Sequence, residues 1–526
     1  MPGTRPNILL ILNDDMGYSD IGCYGGEVHT PNLDGLAASG VRFTQAYNTA
    51  RCCPSRTSLL TGLHPHQTGV GWMTYDWGLD GYRGDLNDEC VTIAEGLRAA
   101  GYATYMSGKW HVTRNIEPHG PMDAWPCQRG FDRYWGMLSG ASSYFTPKTL
   151  TEQNDPADAP REGFYLTSEI SDHAVDFIRS HDRQNREEPF FLYTAYTAPH
   201  WPLHALEEDM ERYRGRFDAG WDVLREERYD RMTAMGLIDE SWRLTERDEA
   251  VVPWEEAGAR DWQRRRMEVY AAQIDRMDQG IGRIIDALKE TGQLDNTLII
   301  FLADNGGCAE ELNPDWTGKW NIISQTTHEG EEVIAGNRPE IMPGDESTYQ
   351  SYGIPWANLS NTPFRLYKHW THEGGIATPL IVHWPNADSE AAGELVDEPV
   401  QLPDISATLY DAAEAEYPGE RQGVRIQPLE GFSFLPVVQG GSFDREALFF
   451  EHEGNCAVRM GRWKLVRRYP GPWELYDMIE DRTETNDLAD AKPDMVQELS
   501  DRWQDWAQRC RVVAWDEANP NLRDDG

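Results

Sequence analysis

Lysine is scarce in this chain: seven residues among 526, against 88 aspartates and glutamates. Arginine supplies most of the 48 basic side chains, and the formal net charge is −40. The acids are dispersed along the chain, so the charge is a property of the whole surface. Such a field repels nucleic acid and anionic membranes, which excludes both as partners. It is tolerable where salt shortens the Debye length to roughly 3 Å at 1 M, and a salt-rich cytoplasm is the expected setting. No run approaches the length of an apolar membrane span. Residues 1–5 lead almost directly into a strand, with no basic region, apolar stretch and small-residue cleavage site, so no secretory signal is expected. Cysteine is sparse too. Eight residues scattered over this length do not make a disulfide framework. Reduced thiols in a cytoplasmic protein are the expectation. There are no internal repeats and no low-complexity segment.

The chain is too long for one ordinary core, and 40% hydrophobic residues suffice for two or three packed units. Four short apolar runs read as strands buried on both faces, near 6–12, 103–106, 189–196 and 297–302. Each stops at reactive polar residues: Asp14 and Asp15; Lys109 and His111; His200; Asp304 and Asn305. In open α/β sheets, ligands bind off the carboxyl ends of the strands, so one site at one sheet edge explains all four. On an extended backbone Lys109 and His111 flank Trp110 and point the same way. Adjacent carboxylates at a strand end are costly without a cation between them, and hard oxygen donors suit Ca²⁺ or Mg²⁺. Residues 207–266 read as a charged, helix-prone surface excursion, and 308–359 as an irregular insertion beside the site. The tail alternates short strands and ends in a helix over 495–508, the pattern of a small antiparallel sheet with a covering helix. The expected fold class is therefore α/β, with a large, mostly parallel sheet between helices. The expected division is a catalytic domain over 1–425, with insertions about 207–262 and 308–360, and a smaller α+β unit over 426–526.

Cys52-Cys53-Pro54-Ser55-Arg56-Thr57-Ser58-Leu59-Leu60-Thr61-Gly62 joins a thiol, a proline, a hydroxyl and a guanidinium to an apolar helical turn closed by glycine. Pro54 suits a first helical turn. The thiol and the arginine then sit at a helix N-terminus, where N–H groups and the dipole favour anions and an ionised nucleophile. The stretch resembles the C-x-P-S-R signature of the type I formylglycine-dependent sulfatases, of the alkaline phosphatase superfamily, in which a maturation enzyme oxidises the first cysteine to an aldehyde. Cys52 has Pro two residues on and Arg four residues on; Cys53 does not. The resemblance runs from Pro6 to about Leu488 and has an arylsulfatase flavour, judged from Pro199-His200-Trp201-Pro202-Leu203 and the 361–368 segment.

The resemblance implies that Asp14, Asp15, Asp304 and Asn305 hold Ca²⁺ (Mg²⁺ or Mn²⁺ being alternatives) together with the matured Cys52. It implies that Arg56 steadies the nucleophile and that Lys109, His111, His200 and Lys368 surround the sulfate. The family's Gly-Gly-Ile-Arg segment is Gly374-Gly375-Ile376-Ala377 here, His372 stands where relatives differ, and Cys53 is unusual. His372 is taken as a further substrate contact. The implied activity is hydrolysis of an aryl or carbohydrate sulfate. The alternatives are a phosphodiester or phosphonate monoester hydrolase of the same superfamily and an unmatured binding protein. Trp72, Trp316, Trp320 and Trp356 read equally as stacking surfaces or as loop packing.

Overall fold

The computed structural model describes residues 5–316, 323–387 and 391–522. Residues 1–4 and Trp320 lie outside that set. Among the described residues an eleven-stranded sheet forms the spine. From one edge its order is Leu395–Val396, Val41–Tyr47, Ala377–His383, Thr297–Ala303, Asn7–Asp14, Phe190–Pro199, Ala103–Gly108, Arg133–Met137, Leu150–Glu152 and Asp155–Pro156. Val400–Gln401 also pairs with the Val41 strand. The long strands run in one direction except Ala377–His383, which runs against both its neighbours. That reversal matters for the site, because it puts the beginning of this strand at the edge where its neighbours end.

The central strand shows why an uninterrupted apolar run was required. Leu9 and Ile11 join one core cluster; Ile8, Leu10 and Leu12 join another on the opposite face. Helices Leu166–Gln184 and Arg260–Glu290 cover the first face through residues such as Ile170, Ala174, Ile274 and Ile281. Helices Cys52–Thr61, Ile93–Ala99 and Leu402–Ala412 cover the second through Leu59, Leu97 and Leu409. Each buried leucine or isoleucine is worth about 1.5–3 kcal/mol. No helix among the described residues is long and apolar enough to cross a membrane.

The tail forms a four-stranded antiparallel sheet, Leu448–His452, Asn455–Met460, Trp463–Arg467 and Trp473–Asp477, covered by helix Pro493–Arg509. Val458, Leu465 and Leu475 pack on Leu499 of that helix, whereas Phe450, Ala457, Val466 and Tyr476 face the main core. The two units therefore share apolar packing. They also share a buried ion network. Lys464 reaches Glu373 at 2.7 Å and Glu484 at 2.8 Å, and Arg482 reaches Glu373 at 2.8 Å.

Two expectations need correction. The 207–266 segment is not a surface excursion. In helix Gly220–Ala234, Trp221, Leu224, Arg225, Arg228 and Met232 form a buried stripe, and Arg228 pairs with Asp20 at 2.9 Å and Glu27 at 2.7 Å. The segment is helical as expected, and two arginines on the stripe disguised its buried face. The strand Arg133–Met137 was not anticipated, because a glycine and an arginine interrupt its five residues.

Candidate active site

The strand ends converge as the topology requires. Asp14 closes the central strand, and Asp15 follows with φ 66°. Asp304 follows Thr297–Ala303, and His200 follows Phe190–Pro199. Lys109 follows Ala103–Gly108, and Lys368 lies on the segment leading into the reversed strand. Lys109 and His111 do not reach the site along an extended backbone. Gly108 takes φ 117° and His111 φ 53°. Left-handed backbone at non-glycine residues costs about 1–3 kcal/mol and persists where the surroundings over-determine it.

Helix Cys52–Thr61 aims its N-terminus at this edge with every residue buried, and Gly62 closes it at φ 70° with its N–H donating to Ser58. Arg56 is fully buried. Its Nε and Nη2 donate to Asp304 Oδ2 at 3.1 and 2.9 Å, its Nη1 donates to the Lys109 carbonyl at 3.0 Å, and Nη2 lies 3.5 Å from Asp14. Lys109 Nζ donates to Asp14 at 2.5 Å. Lys368 Nζ sits 2.8 and 2.9 Å from the two Asp15 oxygens and 3.4 Å from His200 Nε2. Asn305 Nδ2 donates to Asp15 at 2.7 Å. Gly306 allows the Asp304 turn to pack on the Glu373 turn: a Cβ there would stand 2.0 Å from the Gly374 carbonyl oxygen.

The electrostatics follow from this crowding. The Cys52 thiol is held well below its usual range by a hydrogen bond from Cys53, against burial, with help from His111, Lys109 and Lys368. Burial takes His111 down to about 4 and also lowers His200, so both imidazoles are neutral near pH 7. Burial opposes the charge on Asp14, but Lys109, His200 at the low pH where it is protonated, and Arg56 outweigh it and lower the carboxyl. Asp304 moves the other way, raised by burial and by Asp14. Two carboxylates in one dry space compete for a single stabilising environment, and a cation between them would hold both ionised.

The donor set suits a hard cation. Asp14, Asp15 and His200 offer ligand atoms within 4.8 Å of one another. Asp14 Oδ1, Asn305 Oδ1 and Asn13 Oδ1 are buried acceptors with no hydrogen-bond partner, and the Asn13 Nδ2 donor is also unpaired. Carboxylate and carbonyl oxygens are the ligands of Ca²⁺ and Mg²⁺. Cys52, Cys53 and His111 form a separate group on the nucleophile side.

A cavity of about 480 Å³ opens above Cys52, His111, His200 and Lys368. Its walls include Tyr75, Trp201, Leu312 and Trp316, with Glu117, Glu310 and Glu311. His372 is not among the residues that line it. It is fully buried, with Nε2 3.5 Å from Glu474, which also holds Arg365. Trp72 stacks on Trp77, and Trp356 is fully buried against Trp221 and Trp254, so both serve packing. Sequence reasoning missed Arg51 and Glu310, paired at 2.8 Å on the pocket wall, where Glu310 also accepts from Trp201 Nε1 at 3.0 Å. Only their nearness to Cys52 and Asp304 in the chain could have pointed to them.

A sulfatase family model matches residues 6–415, and a model of the N-sulphoglucosamine sulphohydrolase C-terminal region matches 364–509. An uncharacterized sulfatase of Schizosaccharomyces pombe is 33% identical, covering 97% of this chain and 94% of its own length. An arylsulfatase of Klebsiella aerogenes is 32% identical, covering 78% of this chain and 87% of its own. The crystal structure of Ps i-CgsB in complex with k-i-k-neocarrahexaose superposes with TM-score 0.68 at 25% identity, over 97% of this chain and 95% of the other.

Proposed function

The chain belongs to the sulfatase family and is a sulfuric ester hydrolase, and on that premise we propose that it cleaves a small aryl or carbohydrate sulfate monoester with a formylglycine made from Cys52 and with bound Ca²⁺. The observation that carries this reading is the convergence on Cys52. A buried helix start carries the thiol, Arg56 ties that helix to Asp304 and Asp14, and Lys109, His111, His200 and Lys368 stand around it.

Asp14, Asp15, Asp304 and Asn305 would hold the ion; Asp14 Oδ1 and Asn305 Oδ1 are the oxygens among them that lack a partner. When bound, Ca²⁺ supplies a Lewis acid that offsets sulfate charge and favours an ionised nucleophile. A formylglycine at position 52, once hydrated, would offer two hydroxyls on one carbon, a nucleophile and a group whose deprotonation would release the sulfate. Arg56 fixes the helix start and favours negative charge there. Lys109 and Lys368, held on Asp14 and Asp15, would supply the preorganised positive charge that offsets charge on the sulfate oxygens. Lys368, which lies against His200, would protonate the leaving alcohol or phenol. Neutral His111 can accept the proton whose loss releases sulfate.

The apolar walls of the pocket suit a small monosulfate, and the net charge of −40 disfavours a long polyanionic glycan at low salt. A separate maturation enzyme would install the aldehyde. Comparing turnover of a nitrophenyl sulfate with that of a phosphodiester analogue tests the reading. The sulfate is expected to be preferred, and preference for the diester would transfer the chain to phosphoryl chemistry.

A further inference from the structure

The C-terminal sheet contributes a group of side chains that the chemistry above does not use. Its first hairpin brings His452 and Glu453 against His369, the residue after Lys368. Glu453 Oε2 lies 2.9 Å from His369 Nδ1, and Glu453 Oε1 lies 3.6 Å from His452 Nε2. The two imidazoles stand 5.7 Å apart at 86°. His452 is fully buried, and neither of its ring nitrogens has a hydrogen-bond partner. Each such orphaned group costs about 1–3 kcal/mol and calls for an explanation. His369 and Glu453 both adopt left-handed backbone, at φ 96° and 52°.

We propose that His369, His452 and Glu453 form a second cation site, separate from the carboxylate cluster, for a borderline-soft divalent ion of the zinc class. Two imidazoles and a carboxylate are a zinc-type donor set, whereas Ca²⁺ takes oxygen donors. Bonds of about 2.0–2.2 Å in tetrahedral array put ligand atoms roughly 3.3–3.6 Å apart. The observed spacings, 2.9 Å from His369 to one Glu453 oxygen and 3.6 Å from His452 to the other, are close to that value, and one ligand atom from each of the three residues lies within 4.8 Å of the others. Outer partners are in place: Trp72 Nε1 donates to Glu453, and the Asn455 side-chain amide lies 3.3 Å from His369 Nε2. His369 borders a cavity of about 780 Å³ shared with Arg51, Glu310 and Lys368, which provides an entry path and room for a fourth ligand.

The ion would tie the C-terminal sheet to the catalytic edge. The His369 N–H donates to the Ala50 carbonyl at 2.7 Å, two residues before Cys52, and Lys368 is its chain neighbour. The test is a Co²⁺ titration of the full-length protein, in the wild type and on a Cys52→Ala background. That background breaks up the group of Cys52, Cys53 and His111 by removing one of its two thiols, and it removes any dependence on maturation. One equivalent of Co²⁺ with intense four-coordinate visible bands is expected in both, displaced by Zn²⁺ and indifferent to Ca²⁺. His452→Asn, Glu453→Gln and the more exposed His369→Gln should each weaken binding 10–100-fold. Weak octahedral bands only, or identical spectra in the three variants, would overturn the assignment; His369→Gln guards against a loss caused by misfolding.

Discussion

Removing the Lys464 ammonium should unlock the C-terminal sheet from the catalytic edge. Lys464, Glu373 and Glu484 are fully buried, and the ammonium bridges the two carboxylates at 2.7 and 2.8 Å. Burial opposes the charge on Glu373, but Lys464 and Arg482 outweigh it and take its pKa from 4.5 to about 2. That depression is worth about 3 kcal/mol at 1.36 kcal/mol per pKa unit. It is fully present above pH 4.5 and lost as pH falls through about 2. Breaking a buried pair by removing one partner costs about 3–5 kcal/mol, because the other charge stays behind. Lys464→Met is therefore expected to lose about 3–5 kcal/mol in urea unfolding at pH 7. The double variant Lys464→Met/Glu484→Gln should recover part of the loss, since a neutral amide oxygen still accepts the Glu373 N–H that now reaches Glu484 at 3.1 Å. A coupling of about 2 kcal/mol is expected in the cycle. Glu373 stands five residues after Lys368, so activity should fall along with stability. A Lys464→Met midpoint within about 0.5 kcal/mol of wild type would refute the reasoning, since that is the scatter of ordinary surface substitutions.

Arg56→Lys cannot reproduce the two contacts to Asp304 together with the one to the Lys109 carbonyl; kcat should fall by about 10²-fold or more with the fold retained by circular dichroism. Cys52→Ser should give no steady-state turnover, because a serine adduct has no second hydroxyl with which to expel sulfate. Burial lowers His64, His204 and His383 from 6.5 to about 4. The unfolded chain therefore binds protons below pH 6.5 that the folded chain refuses, and stability should drop by about 1.4 kcal/mol per pH unit per histidine between pH 6 and 4, read from urea midpoints. With a net charge of −40, the unfolding midpoint should rise between low and molar salt, and equal midpoints would remove the case for a high-salt setting.

Much of the site was legible because its geometry is a consequence of strand ends. Asp14, Lys109, His200 and Asp304 follow apolar runs buried on both faces, and parallel strands deliver their ends to one edge. Lys368 is a different case. It arrives from the beginning of a strand that runs against its neighbours, which no local pattern announces. His111 was found for the wrong local reason, since its backbone is left-handed rather than extended. His372 was misjudged because its neighbour Glu373 turns into the ion network and carries it towards Glu474. The Arg228 stripe and the His452 group depend on partners more than eighty residues away in the chain, and only the fold brings them together.

The chemical state of residue 52 bears on all of this most directly. Peptide mass spectrometry across residues 52–62, on a preparation whose active sites have been counted by single-turnover burst, compares aldehyde content with catalytic content. The account predicts that the fraction carrying the lighter aldehyde equals the fraction of active sites. A fully active preparation in which Cys52 remains a thiol would contradict it.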